Sequence, residues 1–229
     1  MTLGTGFRLR NHGSDYELCQ LLSSACHLIV AIDEFQREAP GRYPLPSLSV
    51  KAIAFQHRML SLSPPSPSTD LIFESLEDCI FQIVRLTTFI FSDFVFYPTA
   101  EARNGRQRLA AVLKGHLTTY FEIHSAQQLS EPPRTLDFDY DHLILWSLVL
   151  GGAASSSTSG REWYVLQIFE RVSVQQVTWD DLQIIMRQFL YYDYVLDRSV
   201  TNLWVEVFQS LQAEVEVDLG ILNVGHGSW

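Results

Sequence analysis

Apolar side chains recur at every third or fourth position along most of this chain, the spacing that turns one face of a helix into a core. Leu18, Leu21, Leu22, Ala25, Leu28, Ile29 and Ile32 predict a first helix over residues 18–32. The polar Asp33, Glu34 and Gln36 follow it, Pro40-Gly41 stops it, and Pro44 and Pro46 extend the break. Only a short segment is expected over Ile53–Leu62, before Ser63-Pro64-Pro65-Ser66-Pro67-Ser68, a Pro/Ser loop at 63–68 without packing capacity. A long helix over 70–96 carries Leu76, Ile80, Ile83, Val84, Thr87, Ile90, Phe91 and Phe94, with enough further apolar residues to expect burial on several sides. Leu109, Val112, Leu113, Leu117 and Tyr120 predict another over 106–123, and Pro132-Pro133 closes that section.

The last third continues in the same period. Residues 136–154 pair an acidic lead-in with an apolar helix holding Leu143, Trp146, Leu150 and Gly151-Gly152, small residues that admit a close neighbour. A short helix is expected over 162–171. Thr178 reads as an N-cap answered by Asp181, a variant of the capping box. Leu182, Ile185, Met186, Phe189 and Leu190 then form an apolar stripe, and Trp204, Val207, Phe208 and Leu211 form one more. In 214–224 apolar and acidic residues alternate, as in a short strand or an extended docking segment. No βαβ alternation or internal repeat is visible. The expected fold is all-α, an irregular multi-helix bundle, organised as one helical domain over residues 1–229.

Composition narrows the function classes. Hydrophobic residues make up 47% and charged residues 18% of the chain, the reverse of a disordered protein. A net charge of −10 repels phosphate backbones, so direct nucleic-acid binding is not expected. The basic stretch Arg103, Arg106, Arg108 and Lys114 reads as a solvated loop and helix start. Cys19, Cys26 and Cys79 stand in no metal-ligand spacing and read as small apolar side chains. Few cysteines and no apolar leader in the first ten residues favour an intracellular, reducing compartment, nuclear or cytoplasmic. Residues 79–96 are interrupted by Arg85 and Asp93, and 143–154 fall short of the roughly 20 residues a spanning helix needs.

The search for chemistry assigns no catalytic, metal-ligating or cofactor-binding residue. Asp137, Asp139 and Asp141 alternate like the start of a calcium loop, but His142 and Leu148 stand where that loop needs Gly and Glu. They read as an acidic lead-in favouring the positive end of the next helix. Asp180-Asp181 is followed by Ile184, which breaks the D-D-x-x-D pattern of terpene synthases. Asn202 with Glu206, and Asp193 with Asp197, are one turn apart without completing a second metal motif. The seven histidines, at positions 12, 27, 57, 116, 124, 142 and 226, form no H-E-x-x-H helix, and no G-x-S-x-G or G-x-x-x-x-G-K loop is present. Trp146, Trp163, Trp179, Trp204 and Trp229 read as core packing, with an aromatic-lined effector pocket as the alternative.

Leu143-Ile-Leu-Trp-Ser-Leu-Val-Leu-Gly-Gly-Ala-Ala154 resembles a signature of the fungal-specific transcription factor domain, the regulatory region behind binuclear zinc clusters. The family follows it with R-x-W-[FY], matched by Arg161-Glu162-Trp163-Tyr164. A Trp-led amphipathic helix ending in an aromatic and Asp comes next, matched by Trp179 through Phe189-Leu190-Tyr191-Tyr192-Asp193. A closing L-W-x-E-V corresponds to Leu203-Trp204-Val205-Glu206-Val207. The six-cysteine zinc cluster has no counterpart among these residues, so DNA binding does not carry over. The resemblance implies a helical regulatory domain without catalytic residues or cofactor, acting through a protein partner or a small effector, with a homodimer compatible. An all-α enzyme acting on an apolar substrate, or a scaffold without regulatory activity, is the alternative expectation.

Overall fold

Each run of apolar residues at helical spacing becomes a helix in the computed structural model, which describes residues 4–7, 16–37, 44–62, 76–98, 102–130, 138–156 and 158–224. After a 3-10 turn at Thr5–Phe7 come α1 (Tyr16–Gln36), α2 (Leu45–Ser61), α3 (Leu76–Val95), α4 (Ala102–Ser130), α5 (Phe138–Ala154), α6 (Thr158–Gln175), α7 (Trp179–Gln188) and α8 (Asp193–Val224). There is no strand among the described residues, and the class is all-α. The Pro/Ser loop at 63–68 lies outside the described residues.

The bundle is organised around α5. Every side chain from Leu143 to Leu150 is buried, so this helix has no solvent face along two turns. It touches α3, α4, α6, α7, α8 and the 3-10 turn. α3 is buried on several sides, as its excess of apolar residues predicts, and lies along α4. One apolar core runs from Phe7 to Val207 and takes side chains from every helix; a smaller cluster of Leu28, Ala31, Leu48 and Ala52 joins α1 to α2.

Four expectations are corrected. α2 is a full 17-residue helix rather than a short piece over 53–62. Pro46 sits in its first turn, where the backbone N–H has no intrahelical partner, so the proline begins this helix. α6 spans 18 residues, beyond the expected 162–171. Residues 214–224 continue α8 as helix, because adding one hydrogen bond per residue to an existing helix outweighs the local strand-like alternation. Val112 and Phe208 project into solvent instead of joining their stripes.

Among the described residues, α1 alone is long and apolar enough to cross a membrane by length and composition. Its Leu18, Leu21, Leu22, Ala25 and Ile29 are packed into the core. Residues 79–96 and 143–154, the two apolar stretches noticed in the sequence, belong to core helices α3 and α5.

Candidate functional site

Two places in the fold gather polar chemistry or open space. The first joins the last four helices. Trp146 on α5 is fully buried, and its indole N–H donates to the Leu190 carbonyl at 3.0 Å. That carbonyl lies in the non-helical stretch between α7 and α8, where no helical N–H is available, so the indole satisfies it. Phe189 stacks on the same indole at 5.5 Å and Phe7 meets it edge-on at 5.4 Å.

One turn further along α5, Gly151 and Gly152 leave room for Tyr164 of α6 and Leu203 of α8. The Tyr164 hydroxyl donates to the Ala110 carbonyl of α4 at 2.8 Å, tying a third helix to the contact. Burial raises the pKa of this phenol far above its ordinary value.

Arg161 closes the arrangement. Its Nε and Nη2 donate to the two carboxylate oxygens of Glu206 on α8, both at 2.8 Å, and its Nη1 donates to the Gly152 carbonyl at 2.6 Å. The planar fork therefore holds the α5 C-terminus and α8 together, a geometry that Lys could not reproduce. Below it Trp179 and Trp204 meet at 5.7 Å. Thr178 caps α7 through a reciprocal box with Asp181, whose carboxyl is held below its usual pKa by the Thr178 side-chain and backbone donors.

The second place is an open groove between α1 and α2, with a volume of about 320 Å³. Leu21, Leu28 and Phe55 form its apolar floor. Ser24, His27 and Ala31 stand on the α1 side; Lys51, Ala54 and Arg58 stand on the α2 side. The groove escaped the sequence analysis because α2 was truncated at Pro46. The readable signal was Val50, Ile53, Ala54 and Leu60, helical spacing that begins well before residue 53.

The other sequence candidates are dispersed. Asp137 lies outside the described residues, and α5 starts at Phe138, so the alternating aspartates run into a helix start. Asp181 is the cap, Asp193 pairs with Arg187 at 3.0 Å, and Asp197 accepts from the Tyr191 hydroxyl at 2.7 Å. Glu206 belongs to Arg161, and Asn202 is exposed. Among the described residues, no group of three or more His, Cys, Asp or Glu is placed to hold a metal ion. Cys79 is buried and Cys19 and Cys26 are half-buried; burial pushes the Cys26 thiol up to about 11. Of the histidines, His27 borders the groove and His124 stacks on Tyr120, while His12 and His226 lie outside the described residues. Trp146 is enclosed, Trp163, Trp179 and Trp204 are half-buried against the core, and Trp229 lies outside the described residues. From the basic stretch, Arg106 lies over the Phe94 ring and Lys114 over the Trp163 ring, while Arg108 is exposed.

A half-buried carboxylate sits where α2 meets α3. Asp93 accepts from Gln56 Nε2 at 3.0 Å, and Arg106 donates to its backbone carbonyl at 3.0 Å. Burial raises its pKa; the Gln56 donor and the Arg106 charge offset part of that. The ionised form is thus costlier in the fold than in the unfolded chain. The protonated group's advantage is complete below the ordinary carboxylate range and is lost as pH rises through the folded pKa. Asp93→Asn keeps the acceptor for Gln56 and removes the charge. Urea unfolding across a pH series is expected to show the variant gaining on the wild type as pH climbs through that window, and standing at least level with it at neutral pH. A variant that lost ground over that interval would mean that attraction to Arg106 outweighs burial.

No family model matches the chain, no curated protein matches it in sequence, and no solved structure matches it.

Proposed function

We propose that this chain is a regulatory helical domain of the fungal transcription factor type, a region that works through a protein partner or small effector and leaves DNA contact to other elements. The observation that supports this reading is the meeting of the four sequence elements that carry the resemblance. Trp146 of the first reaches Leu190 of the third. Gly151 and Gly152 of the first receive Tyr164 of the second, and Arg161 of the second grips Glu206 of the fourth. Trp179, which leads the third, lies on Trp204 of the fourth. Residues picked out for their spacing over about 65 positions are the ones that share contacts, as expected of positions that define one scaffold. The net charge of −10 argues in the same direction, because such a surface disfavours phosphate. The setting that goes with this reading is intracellular, nuclear or cytoplasmic.

The test tethers the full chain, through a heterologous sequence-specific DNA-binding domain, upstream of a reporter gene in a fungal cell. Reporter output is expected to change several-fold relative to the tether alone. In parallel, the purified chain should leave duplex DNA unshifted at physiological salt. An unchanged reporter, with the fusion expressed and folded, overturns the regulatory reading; tight sequence-selective DNA binding by the chain itself overturns the division of labour.

A further inference from the structure

Residues 45–61 form a helix with two apolar faces and only one buried partner surface. Leu48, Ala52, Phe55 and Met59 point into the protein. Val50, Ile53 and Leu60 are 65%, 59% and 64% exposed, and Ala54 is exposed beside them on the groove. Val50, Ile53 and Leu60 fall on one side of the helix, extending about 15 Å at 1.5 Å per residue, close to three turns. Scattered surface apolar residues require no explanation, but a stripe that continues the lip of an open groove does.

The charge around this stripe runs against the rest of the chain. α2 contains Lys51, His57 and Arg58 and not one Asp or Glu, although the protein holds 26 acidic residues. The α1 residues that line the groove, Leu21, Ser24, His27, Leu28 and Ala31, are also free of acid. An apolar floor, an apolar flank and a cationic rim therefore coincide on a chain of net charge −10.

We propose that the groove between α1 and α2 docks an amphipathic acidic helix of a partner protein. Such a helix would set apolar anchors at i, i+3 or i+4, and i+7 over Leu28, Phe55 and Ile53 and bring carboxylates to Lys51 and Arg58. Self-pairing through the same face is disfavoured, because it would bring the two cationic rims together. A single-chain amphiphile fits the floor and would leave the Val50–Leu60 stripe in water. This inference stands on the groove alone and does not depend on a role in transcription.

The probe is a fluorescent peptide of about 15 residues with Leu at helical spacing and Glu on both flanks. Anisotropy titration against the full chain is expected to saturate and to weaken as salt is raised. Binding should fall about tenfold or more for a scrambled peptide and for a peptide with Lys in place of Glu, where each lost tenfold corresponds to about 1.4 kcal/mol. The same loss is expected in the protein variants Lys51→Glu/Arg58→Glu and Val50→Ser/Ile53→Ser. All four positions are exposed, so both double variants should melt like the wild type. Equal binding by both variants, or no binding at about 1 mM peptide, overturns the proposal. So does dodecanoate binding that these variants abolish while the peptide fails, which assigns the groove to a small amphiphile. Concentration-dependent dimers broken by Val50→Ser/Ile53→Ser, without peptide binding, assign it to a second copy.

Discussion

Trp146→Ala is expected to lower the unfolding free energy by about 3–5 kcal/mol, a large share of what a domain of this size possesses. The residue combines three contributions that a smaller side chain loses together. Its ring is completely enclosed, so truncation leaves a cavity with walls that cannot close over it. It stands between Phe7 and Phe189, themselves 5.2 Å apart, and both rings lose their aromatic neighbour. Its N–H is the donor for the Leu190 carbonyl in the break between α7 and α8, and an orphaned buried acceptor costs about 1–3 kcal/mol. Trp146→Phe separates these effects, since it keeps most of the packing and removes the donor; a smaller loss is expected. Urea unfolding of the three proteins measures both steps. A near-neutral melt for Trp146→Ala would place this indole outside the core and remove the joint that the four sequence elements share.

Much of this arrangement could be read in the chain and some could not, for reasons that lie in the physics. The apolar stripes of α1, α3 and α7 follow the 3.6-residue period closely, because each packs one face on a single core. The box at Thr178 and Asp181 was legible since both partners are three residues apart. α2 was not, because a proline pair reads as a break until one knows that the second proline occupies a first turn. The tail of α8 was obscured by alternating Val and Glu, a local preference overridden by a helix already under way. The groove followed α2 into obscurity. Long-range polar contacts had no local signal at all: Arg161 and Glu206 are 45 positions apart, and Tyr164 and Ala110 are 54 apart. Only the resemblance placed Arg161 and Glu206 among positions of note, and it did so without saying that they would meet.

Two glycine-to-alanine changes in helix interiors are expected to act with opposite signs. Alanine is the better helix former by about 1 kcal/mol, so propensity alone favours both. At Gly115, midway along α4, a new Cβ meets nothing within 4 Å, and Gly115→Ala should stabilise the protein by up to about 1 kcal/mol. At Gly151 the same atom would stand 2.6 Å from Cε1, Cζ and the hydroxyl oxygen of Tyr164. That ring has no easy retreat: it is buried, its hydroxyl is engaged with the Ala110 carbonyl, and Trp163 abuts it at 5.0 Å. Relief therefore requires α5 and α6 to separate, and overpacking of this kind costs about 1–3 kcal/mol, enough to reverse the propensity gain. Gly151→Val should be worse, since a branched side chain adds two methyl groups to the same space. Thermal melts of Gly115→Ala, Gly151→Ala and Gly151→Val, ordered from most to least stable, are the expected result. If Gly151→Ala melted above the wild type, the close approach of α5 and α6 would be yielding rather than rigid, and the glycine pair would mark a place where these helices move apart.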